Sequence, residues 1–355
     1  MIKLGKKMDV TAIRKWFFKN RRNLPWRENP SPYEVWVSEI MLQQTQVSVV
    51  VPYFERWMNL FPTIEKLAEA PLEKVIKAWE GLGYYSRARN LHEGAKYLME
   101  EKSGELPSSA AELAKVKGIG PYTVGAILSF AYKEKRAAVD GNVLRVLARY
   151  YGIEESIDQG KVQKMLRDKC QDLLPENEPW IIMEGLIELG ALVCKKKADC
   201  TVCPLKDGCV AHRDCKADLL PLKNKRKKTT HLYRDVAVIY TSSAILIKDA
   251  GKTGIMSDLF EFPYFEKGVL IEEVLGLSLT PEAPLPEVTH RFTRYKAFLS
   301  PHLYQTEEKE IEGYSWIPFA KIKTLPFSSG HKRILSALLA THLKPLLNSV
   351  SQIIP

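Results

Sequence analysis

Residues 113–150 read LAKVKGIGPYTVGAILSFAYKEKRAAVDGNVLRVLARY, and this stretch decides the fold. Its first part predicts a helix, a turn and a second helix, because Gly118 and Gly120 let the backbone turn tightly and approach a ligand closely. Pro121 suits the first turn of the second helix, where an absent N–H costs no intrahelical hydrogen bond. The exposed N–H groups at such a helix start suit a phosphate. The stretch therefore predicts a helical hairpin with a phosphate-binding turn.

The second part of this stretch presents Asp140 directly before an apolar helical run. Aspartate before such a run is most often an N-cap, so a capping role is one interpretation of this residue. A functional carboxylate is the other interpretation, and the stretch alone leaves both open.

The composition indicates a basic, globular protein. The 355 residues allow about two domains, and a hydrophobic content of 45% excludes a disordered chain. A formal net charge of +10 favours a polyanionic partner, although a merely basic protein would carry the same sign. The start MIKLGKKMDV lacks the apolar run of a signal peptide, and no stretch reaches a membrane-spanning length. We therefore expect a cytoplasmic protein with no membrane partner.

Helical periodicity dominates residues 9–215, and strand patterns follow it. Segments such as VTAIRKWFFKN repeat apolar residues at three- and four-residue spacing. Residues 222–228 are basic and poor in apolar side chains, which is typical of a linker. Beyond them, DVAVIYTSSAILIKD alternates like a pair of strands, AFLSPHLYQ and GYSWIPF predict further strands, and HKRILSALLATHL predicts a closing helix. A helical domain is therefore expected to precede a smaller α+β domain.

Glu39 lies in the block PYEVWVSEIMLQQTQV. On a helix it neighbours Val35 and Trp36 one turn before and Leu42 one turn after. Such surroundings exclude water from the carboxyl group and raise its pKa, so that it keeps its proton near neutral pH and can act as a general acid. The alternative is an exposed glutamate on the polar side of an amphipathic helix, since Glu is rarely fully buried.

Four of the six cysteines are clustered with the spacing C-x5-C-x2-C-x5-C, namely Cys194, Cys200, Cys203 and Cys209. In an intracellular chain this clustering indicates metal or cluster ligation rather than disulfides. Four thiolates can converge on one centre, and tetrahedral zinc is a candidate from ligand type alone. Cys170 is interpreted as a packing residue, and Cys215 stays unassigned.

Four blocks of the helical half together resemble a known family. They are PYEVWVSEIMLQQTQV, GLGYYSRARNL, GIGPYTVGAI and VDGNVLRVLAR, and in this order they resemble the MutY adenine DNA glycosylases, which are helix-hairpin-helix base-excision enzymes. The resemblance implies removal of adenine opposite 8-oxoguanine or guanine in double-stranded DNA, by a monomer associated with the bacterial nucleoid. It also implies a [4Fe–4S] cluster on the four clustered cysteines, although the family usually has one more residue between the first two.

The same resemblance assigns roles to residues of this sequence. Glu39 would protonate the adenine, Asp140 would support the sugar cation, and Tyr122 and Asn142 would help to place these groups. Three further sets are implied: Trp26, Arg27 and Glu184 in the adenine pocket; Gln44, Leu82 and Tyr84 at the opened base stack; and Gly118, Gly120 and Thr123 at the DNA backbone.

These residue types suit the chemistry of base removal. Adenine leaves poorly until a ring nitrogen gains a proton, and the broken C–N bond leaves positive charge on the sugar. One carboxylic acid and one carboxylate in different environments therefore meet both needs. The base must be extruded from the duplex, and side chains such as Leu82 and Tyr84 can fill the gap.

Tyr122 separates two branches of these enzymes. Bifunctional relatives that resemble endonuclease III carry a lysine here, which attacks the sugar, whereas a tyrosine cannot form a Schiff base. We therefore predict base removal without strand cleavage. An endonuclease III-like lyase is one rival interpretation, and a non-catalytic lesion-binding protein is the other.

The second half resembles the family's C-terminal, Nudix-like domain, beginning with GIMSDLFEFPYFE at residues 254–266. The Nudix hydrolase signature is missing, so no nucleotide pyrophosphatase activity is expected. Phe292, Thr293 and Arg294 correspond to a loop, commonly Phe-Ser-His, that reads 8-oxoguanine in the family. Thr293 keeps a hydroxyl for hydrogen bonding, while Arg294 replaces an imidazole with a permanent cation. The alternative is an ordinary surface hairpin turn.

The expected architecture is therefore a mainly α helix-hairpin-helix glycosylase domain followed by a smaller α+β Nudix-like domain. The predicted boundaries are 1–220 for the catalytic domain, with the hairpin at 113–127 and the iron–sulfur loop at 194–209, then 221–234 for a basic linker and 235–347 for the 8-oxoguanine-recognition domain.

Overall fold

The computed structural model of the chain describes residues 7–224, 228–251 and 256–341. Expectations for the first six residues, the middle of the linker, the start of the 254–266 block and the end of the 235–347 domain lie outside these ranges. No helix among the described residues is both long and apolar enough to cross a membrane.

The described residues form two compact units. One comprises residues 7–70 and 89–224, and the other comprises residues 71–88, 228–251 and 256–341. The second unit thus includes a segment from within the expected catalytic domain. The helices, in chain order, are α1 Val10–Asn20, α2 Pro32–Leu42, α3 Val47–Leu60, α4 Ile64–Glu69, α5 Leu72–Trp79, α6 Ser86–Lys102, α7 Ala110–Leu113, α8 Pro121–Ala126, α9 Gly141–Tyr151, α10 Gly160–Leu173, α11 Pro179–Leu192, α12 Val210–Arg213, α13 Ile271–Leu275 and α14 Ser329–Thr341.

α2 is the most deeply buried helix of the functional region. Ser31 and Glu34 form a capping box at its start, so that each side chain binds the other residue's backbone N–H. Pro32 occupies the first helical turn, as suits a residue without an N–H. Eight of the eleven residues are buried, including Trp36 and Glu39. A helix with so few exposed positions must insert between other helices.

The predicted helical hairpin is present between α7 and α8. Gly118 has a φ of +83°, which an L side chain rarely adopts. A Cβ at this glycine would also lie 2.7 Å from the Cβ of Asn90. Pro121 begins α8, and the backbone of α8 continues into a π-helical turn, Ile127–Ala131. Both the glycine turn and the proline at the helix start are confirmed.

α9 and α11 pack closely next to the carboxylate predicted at position 140. Asp140 is the N-cap of α9 and accepts a hydrogen bond from the N–H of Val143. Gly190 of α11 leaves no room for a side chain, because a Cβ there would lie 2.6 Å from the Cβ of Asn142 and 3.0 Å from its carbonyl oxygen. The position of Asn142 therefore depends on a glycine in the neighbouring helix.

The second unit contains a mixed sheet built on the predicted strands. The described strands are β1 Thr230–Tyr240, β2 Ala244–Lys248, β3 Tyr264–Glu266, β4 Thr280–Pro284, β5 Val288–Phe292, β6 Tyr295–Gln305 and β7 Tyr314–Pro318. The order β4-β6-β1-β2-β7 forms the main path, with β3 beside β1 and β5 beside β6. β1 and β6 run parallel over their full lengths, whereas the neighbouring pairs are antiparallel. Apolar residues cover both faces of the sheet, with α14 against one of them.

Replacement of Gly190 by Ala should lower the free energy of unfolding by about 1–3 kcal/mol, because the added methyl group must push the backbone of α9 away. Gly160→Ala is the matched control, since a Cβ at the start of α10 meets nothing within 4 Å. Urea denaturation of both variants measures the difference. Equal stability of the two would contradict the close contact between α9 and α11.

Candidate active site

Glu39 is enclosed in the helical unit. It is 6% exposed, so the interpretation as an exposed polar-face glutamate is wrong. Burial raises the pKa of Glu39 to about 7, and the nearby carboxyl groups of Asp140 and Glu184 act in the same direction. The Tyr122 hydrogen bond and the Arg27 guanidinium oppose the rise. The carboxyl group is consequently balanced between its acid and its anion near neutral pH.

The Tyr122 hydroxyl donates a hydrogen bond to Oε2 of Glu39. Burial and the two adjacent carboxyl groups, Glu39 and Asp140, hold the pKa of this phenol well above its ordinary value. Tyr122 therefore stays neutral, and its hydroxyl group is a donor that fixes one oxygen of Glu39.

Asp140 has a donor at each carboxyl oxygen. Oδ1 accepts the Val143 N–H at 2.8 Å, and Oδ2 accepts the Asn142 Nδ2 group at 2.7 Å. Burial raises the pKa of Asp140, whereas these donors and the Arg145 guanidinium oppose the rise. The N-cap interpretation is thus confirmed, and it does not compete with a role in the site, because Asp140 also lines a groove together with Glu39.

Arg145 holds the Asn142 side chain that binds Asp140, and the sequence analysis missed this contact. Its guanidinium donates to Oδ1 of Asn142 at 2.8 Å, to the Gly190 carbonyl at 2.8 Å and to the Cys194 carbonyl at 2.6 Å. Asn142 and Arg145 lie three residues apart on α9, and this spacing is the only local signal for their contact. Asn142 is therefore held on both of its polar ends.

The predicted adenine-pocket residues line one small cavity with Glu39. Arg27 is 3.6 Å from a carboxyl oxygen of Glu184, and Trp26 packs edge to face against Phe54 with ring centroids 5.2 Å apart. The cavity measures about 50 Å³, which is room for one or two water molecules and less than a purine needs. The pocket must widen before a base can enter it.

A buried carboxylate missed by the sequence analysis holds Arg27 in this cavity. Glu188 is fully buried and binds Arg27 at 2.6 Å and Arg22 at 2.7 Å. Burial would raise the pKa of Glu188, but the two guanidiniums outweigh it and hold the pKa below its usual value. Burial instead raises the pKa of Glu184. The pKa values of these two glutamates, which lie one helical turn apart, are therefore shifted in opposite directions.

A groove of about 900 Å³ adjoins the small cavity and brings the acid and the carboxylate together. It is lined by Glu39, Tyr122, Asp140 and Asn142, and by Gln44 at the end of α2. Gln44 has a φ of +58°, an uncommon conformation for a residue with a side chain. The two carboxyl groups thus face one common space.

The remaining predicted DNA-contacting residues differ in exposure. Gly118 and Gly120, the N-cap of α8, are exposed, whereas Thr123 is 1% exposed and is not accessible to DNA in this conformation. Leu82 and Tyr84 belong to the other compact unit, where Leu82 is 6% and Tyr84 is 47% exposed.

Phe292, Thr293 and Arg294 form the turn between β5 and β6. Thr293 adopts a φ of +47°, and both it and Arg294 are exposed. The Arg294 guanidinium lies over the ring of Tyr295 and donates to its hydroxyl at 3.0 Å. The segment is a hairpin turn, and its hydroxyl and guanidinium groups are accessible to a ligand.

The four clustered cysteines lie in a loop beside α9. Burial raises the pKa of Cys200, Cys203 and Cys209, and the neighbouring thiols add to the rise. Nη1 of Arg149 is 3.3 Å from Sγ of Cys194. Within residues 7–224, 228–251 and 256–341, no three His, Cys, Asp or Glu side chains meet the geometry of a metal site. The donor type and the adjacent cation nevertheless suit an anionic thiolate cluster. Cys170 is buried against the Met183 sulfur at 3.6 Å, as a packing residue would be.

Comparison with known proteins defines the class. The HhH-GPD superfamily of base excision DNA repair proteins matches residues 37–172, and the NUDIX domain matches residues 235–337. The structure of a thermostable thymine-DNA glycosylase aligns with a TM-score of 0.53 at 26% identity, over 58% of this chain and 95% of that chain. The protein is a base-excision DNA N-glycosylase with a helix-hairpin-helix domain and a Nudix-like domain.

Two relatives define the family more narrowly. The adenine DNA glycosylase of Buchnera aphidicola subsp. Baizongia pistaciae (strain Bp) is 38% identical over 260 residues, which are 72% of this chain and 73% of that protein. The adenine DNA glycosylase of Rattus norvegicus is 31% identical over 405 residues, covering 92% of this chain and 78% of that protein. The chain belongs to the adenine DNA glycosylase family, as the resemblance predicts.

Replacement of Glu39 by Gln should stabilise the protein increasingly between pH 5 and pH 8. The folded protein keeps the Glu39 proton up to pH 7, whereas the unfolded chain loses it near pH 4.5, so deprotonation favours unfolding of the wild type. The advantage of the variant should grow by roughly 2–3 kcal/mol over this range. Denaturation at both pH values measures it, with Glu69→Gln on an exposed helix as the control. A pH-independent difference would show that Glu39 is solvated.

Proposed function

We propose that this protein removes adenine opposite 8-oxoguanine, or opposite guanine, by hydrolysis of the N-glycosidic bond. The observation that carries the proposal is the common groove of Glu39, with a pKa of about 7, and Asp140, with a donor on each oxygen. One group is suited to give a proton and the other to meet a cation. This pairing is used for glycosidic bonds in other enzymes.

In the proposed reaction, the protonated Glu39 gives its proton to a ring nitrogen of the extruded adenine. The electrons of the C–N bond leave with the neutral base, and the positive charge that develops on the sugar is stabilised by Asp140. Tyr122 orients the acid, and Asn142 orients the carboxylate. Water then adds to the sugar, either directly or by displacing a transient bond to Asp140. The proton that this water loses returns to the Glu39 carboxylate and restores the acid.

Recognition of the base is assigned to the cavity around Arg27. Glu184, on α11, and Trp26 supply a hydrogen-bonding group and a ring face next to it. The Glu188 carboxylate keeps the Arg27 guanidinium in place, because it binds one of its nitrogen atoms at 2.6 Å. Since the cavity is smaller than adenine, we propose that the extruded base opens it by displacing ordered water.

Recognition of the opposite strand is assigned to the Nudix-like unit. The exposed Thr293 hydroxyl and Arg294 guanidinium are proposed to contact the 8-oxoguanine edge. Leu82, Tyr84 and Gln44 are proposed to fill the opened base stack, and the N–H groups around Gly118, Gly120 and Thr123 to bind phosphates. With a net charge of +10, the protein is proposed to act as a monomer on DNA in the cytoplasm, at the bacterial nucleoid.

One duplex assay tests this function. A labelled duplex with adenine opposite 8-oxoguanine should remain intact after incubation and should break at the adenine after alkali, because base removal leaves an abasic site. Borohydride should trap no covalent complex, since Tyr122 cannot form an imine. Strand cleavage without alkali would favour the endonuclease III-like interpretation, and binding without any base release would favour the lesion-binding one.

Glu39→Gln should lower the single-turnover rate by about a hundredfold to ten-thousandfold, because the amide has no acidic proton to give. Its DNA affinity should stay close to that of the wild type. The wild-type rate should fall as the pH rises above about 7, where Glu39 loses its proton. Asp140→Asn should also slow the reaction severely. A loss of stability with unchanged turnover in Asp140→Asn would reduce this residue to a helix cap.

We infer that Cys194, Cys200, Cys203 and Cys209 hold a [4Fe–4S] cluster. The inference is supported by the spacing of the four thiol donors and by the Arg149 guanidinium at Sγ of Cys194. Such a cluster would hold together a loop whose first carbonyl binds Arg145. The protein purified without oxygen should be brown and contain about four iron and four sulfide per chain. Stoichiometric zinc without sulfide would contradict the inference and favour the zinc alternative.

A further inference from the structure

The carboxyl group of Glu80 is buried in the second compact unit and has donors on both of its oxygens. It is 8% exposed. Oε1 accepts the backbone N–H of Phe327 at 3.0 Å, and Oε2 accepts Nζ of Lys332 at 2.6 Å. Nζ of Lys77 lies 3.0 Å from Oε2 and donates to the Leu325 carbonyl at 2.8 Å. We call these contacts of Lys77 and Glu80 with residues 325–332 the Glu80 clamp.

The Glu80 clamp joins parts of the chain that are about 250 residues apart. Lys77 and Glu80 lie at the end of α5, within the part of the sequence that matches the HhH-GPD superfamily. Phe327 and Lys332 lie within the part that matches the NUDIX domain. The segment 71–88 is thus fastened to the Nudix-like residues, although its sequence belongs to the glycosylase domain.

The loop that follows Glu80 has a defined conformation. Gly81 and Gly83 have φ values of +108° and +70°, and Tyr84 has a φ of +50°, which is uncommon for a bulky residue. The indole of Trp79 donates to the Gly83 carbonyl at 3.1 Å. Such a backbone persists only where its surroundings hold it.

Arg87 closes this loop from its other end. Its guanidinium donates to the carbonyls of Leu82 and Gly83 at 3.1 and 3.0 Å. It also lies 5.6 Å from the centroid of the Tyr84 ring. The exposed Tyr84 is therefore presented by a loop that is hydrogen-bonded on itself and anchored at its first residue by the Glu80 clamp.

We propose that Glu80 is a positioning residue for base extrusion. By tying the loop 81–85 to the Nudix-like domain, it holds the inserting side chains on the same unit as the Thr293–Arg294 turn. This role rests on the proposed function of Leu82 and Tyr84 at the opened base stack. A loosened loop would enter the duplex less often, so the step lost would be extrusion and not the bond cleavage that follows.

The first experiment compares two substrates under single-turnover conditions. Glu80→Ala should lower the rate on adenine paired with 8-oxoguanine about tenfold or more, because it leaves two ammonium groups and an amide without their carboxylate. The rate on adenine opposite an abasic site, where no partner base holds it, should change less than about threefold. Glu80→Gln should fall between wild type and Glu80→Ala, since its amide oxygen can still accept the Phe327 N–H.

Two further variants control this experiment. Lys332→Met removes the ammonium group that binds Oε2 of Glu80, and it should reproduce the substrate-dependent loss of rate. Glu69→Gln breaks an exposed pair with Lys66, 2.8 Å long and without a backbone donor, and should leave both rates unchanged. An equal loss on both substrates in Glu80→Ala and Lys332→Met would mean that the clamp is only structural, and no loss in either would also overturn the proposal.

Hydrogen exchange of the free protein separates this proposal from the proposed function. In Glu80→Ala, amides of residues 81–87 and of Phe327 should exchange faster, while those of α2 and α9 should not change. Unchanged exchange of the loop would refute the clamp whatever the activity. If the wild type released no adenine from any duplex, the proposed function would fail, and faster loop exchange would still establish the anchoring.

Discussion

The exclusion of water from the Glu39 carboxyl group is the constraint on which the proposed chemistry of this protein depends. α2 has so few exposed residues that it can exist only in the interior, and Glu39 is carried inside with it. The capping box of Ser31 and Glu34 provides hydrogen-bond partners for backbone N–H groups at the start of α2 and keeps this end of the helix ordered. The raised pKa of Glu39 is therefore mainly a consequence of the burial of α2.

The carboxyl groups of the helical unit differ in the number and charge of their donors. Glu188 is fully buried, but two guanidiniums bind it and its pKa falls. Asp140 has neutral donors on both oxygens, and burial still raises its pKa. Glu39 has one phenol, and its pKa rises to about 7. Burial alone therefore does not determine the pKa of a carboxyl group in this unit. The number and charge of its hydrogen-bond donors also contribute.

Local sequence pattern predicted the parts of the fold that depend on neighbouring residues. Patterns of only a few residues predict four of these features: the glycine turn, Pro121 at the start of α8, Asp140 as a cap, and the strand pairs after residue 230. The apolar helical neighbours of Glu39 left a buried and an exposed interpretation open, and the packing of α2 decides for the buried one. The contacts of Glu188 with Arg22 and of Arg145 with Cys194 span 166 and 49 residues, so no local pattern reports them. The four cysteines were recognisable by spacing, but spacing does not separate iron from zinc.

The segment 71–88 lies within the sequence match to the HhH-GPD superfamily, but in the structure it belongs to the compact unit of the Nudix-like domain. The thymine-DNA glycosylase structure matches nearly its whole length to little more than half of this chain, which leaves it no counterpart of a second domain. A glutamate at position 80 would there find no Phe327 amide and no Lys332 to bind. In this chain the Glu80 carboxylate is buried and hydrogen-bonded to those partners, and their loss would leave an unpaired buried charge, which is strongly destabilising. The family match alone assigns this loop to the glycosylase domain, whereas the hydrogen bonds of the preceding Glu80 tie it to the Nudix-like domain.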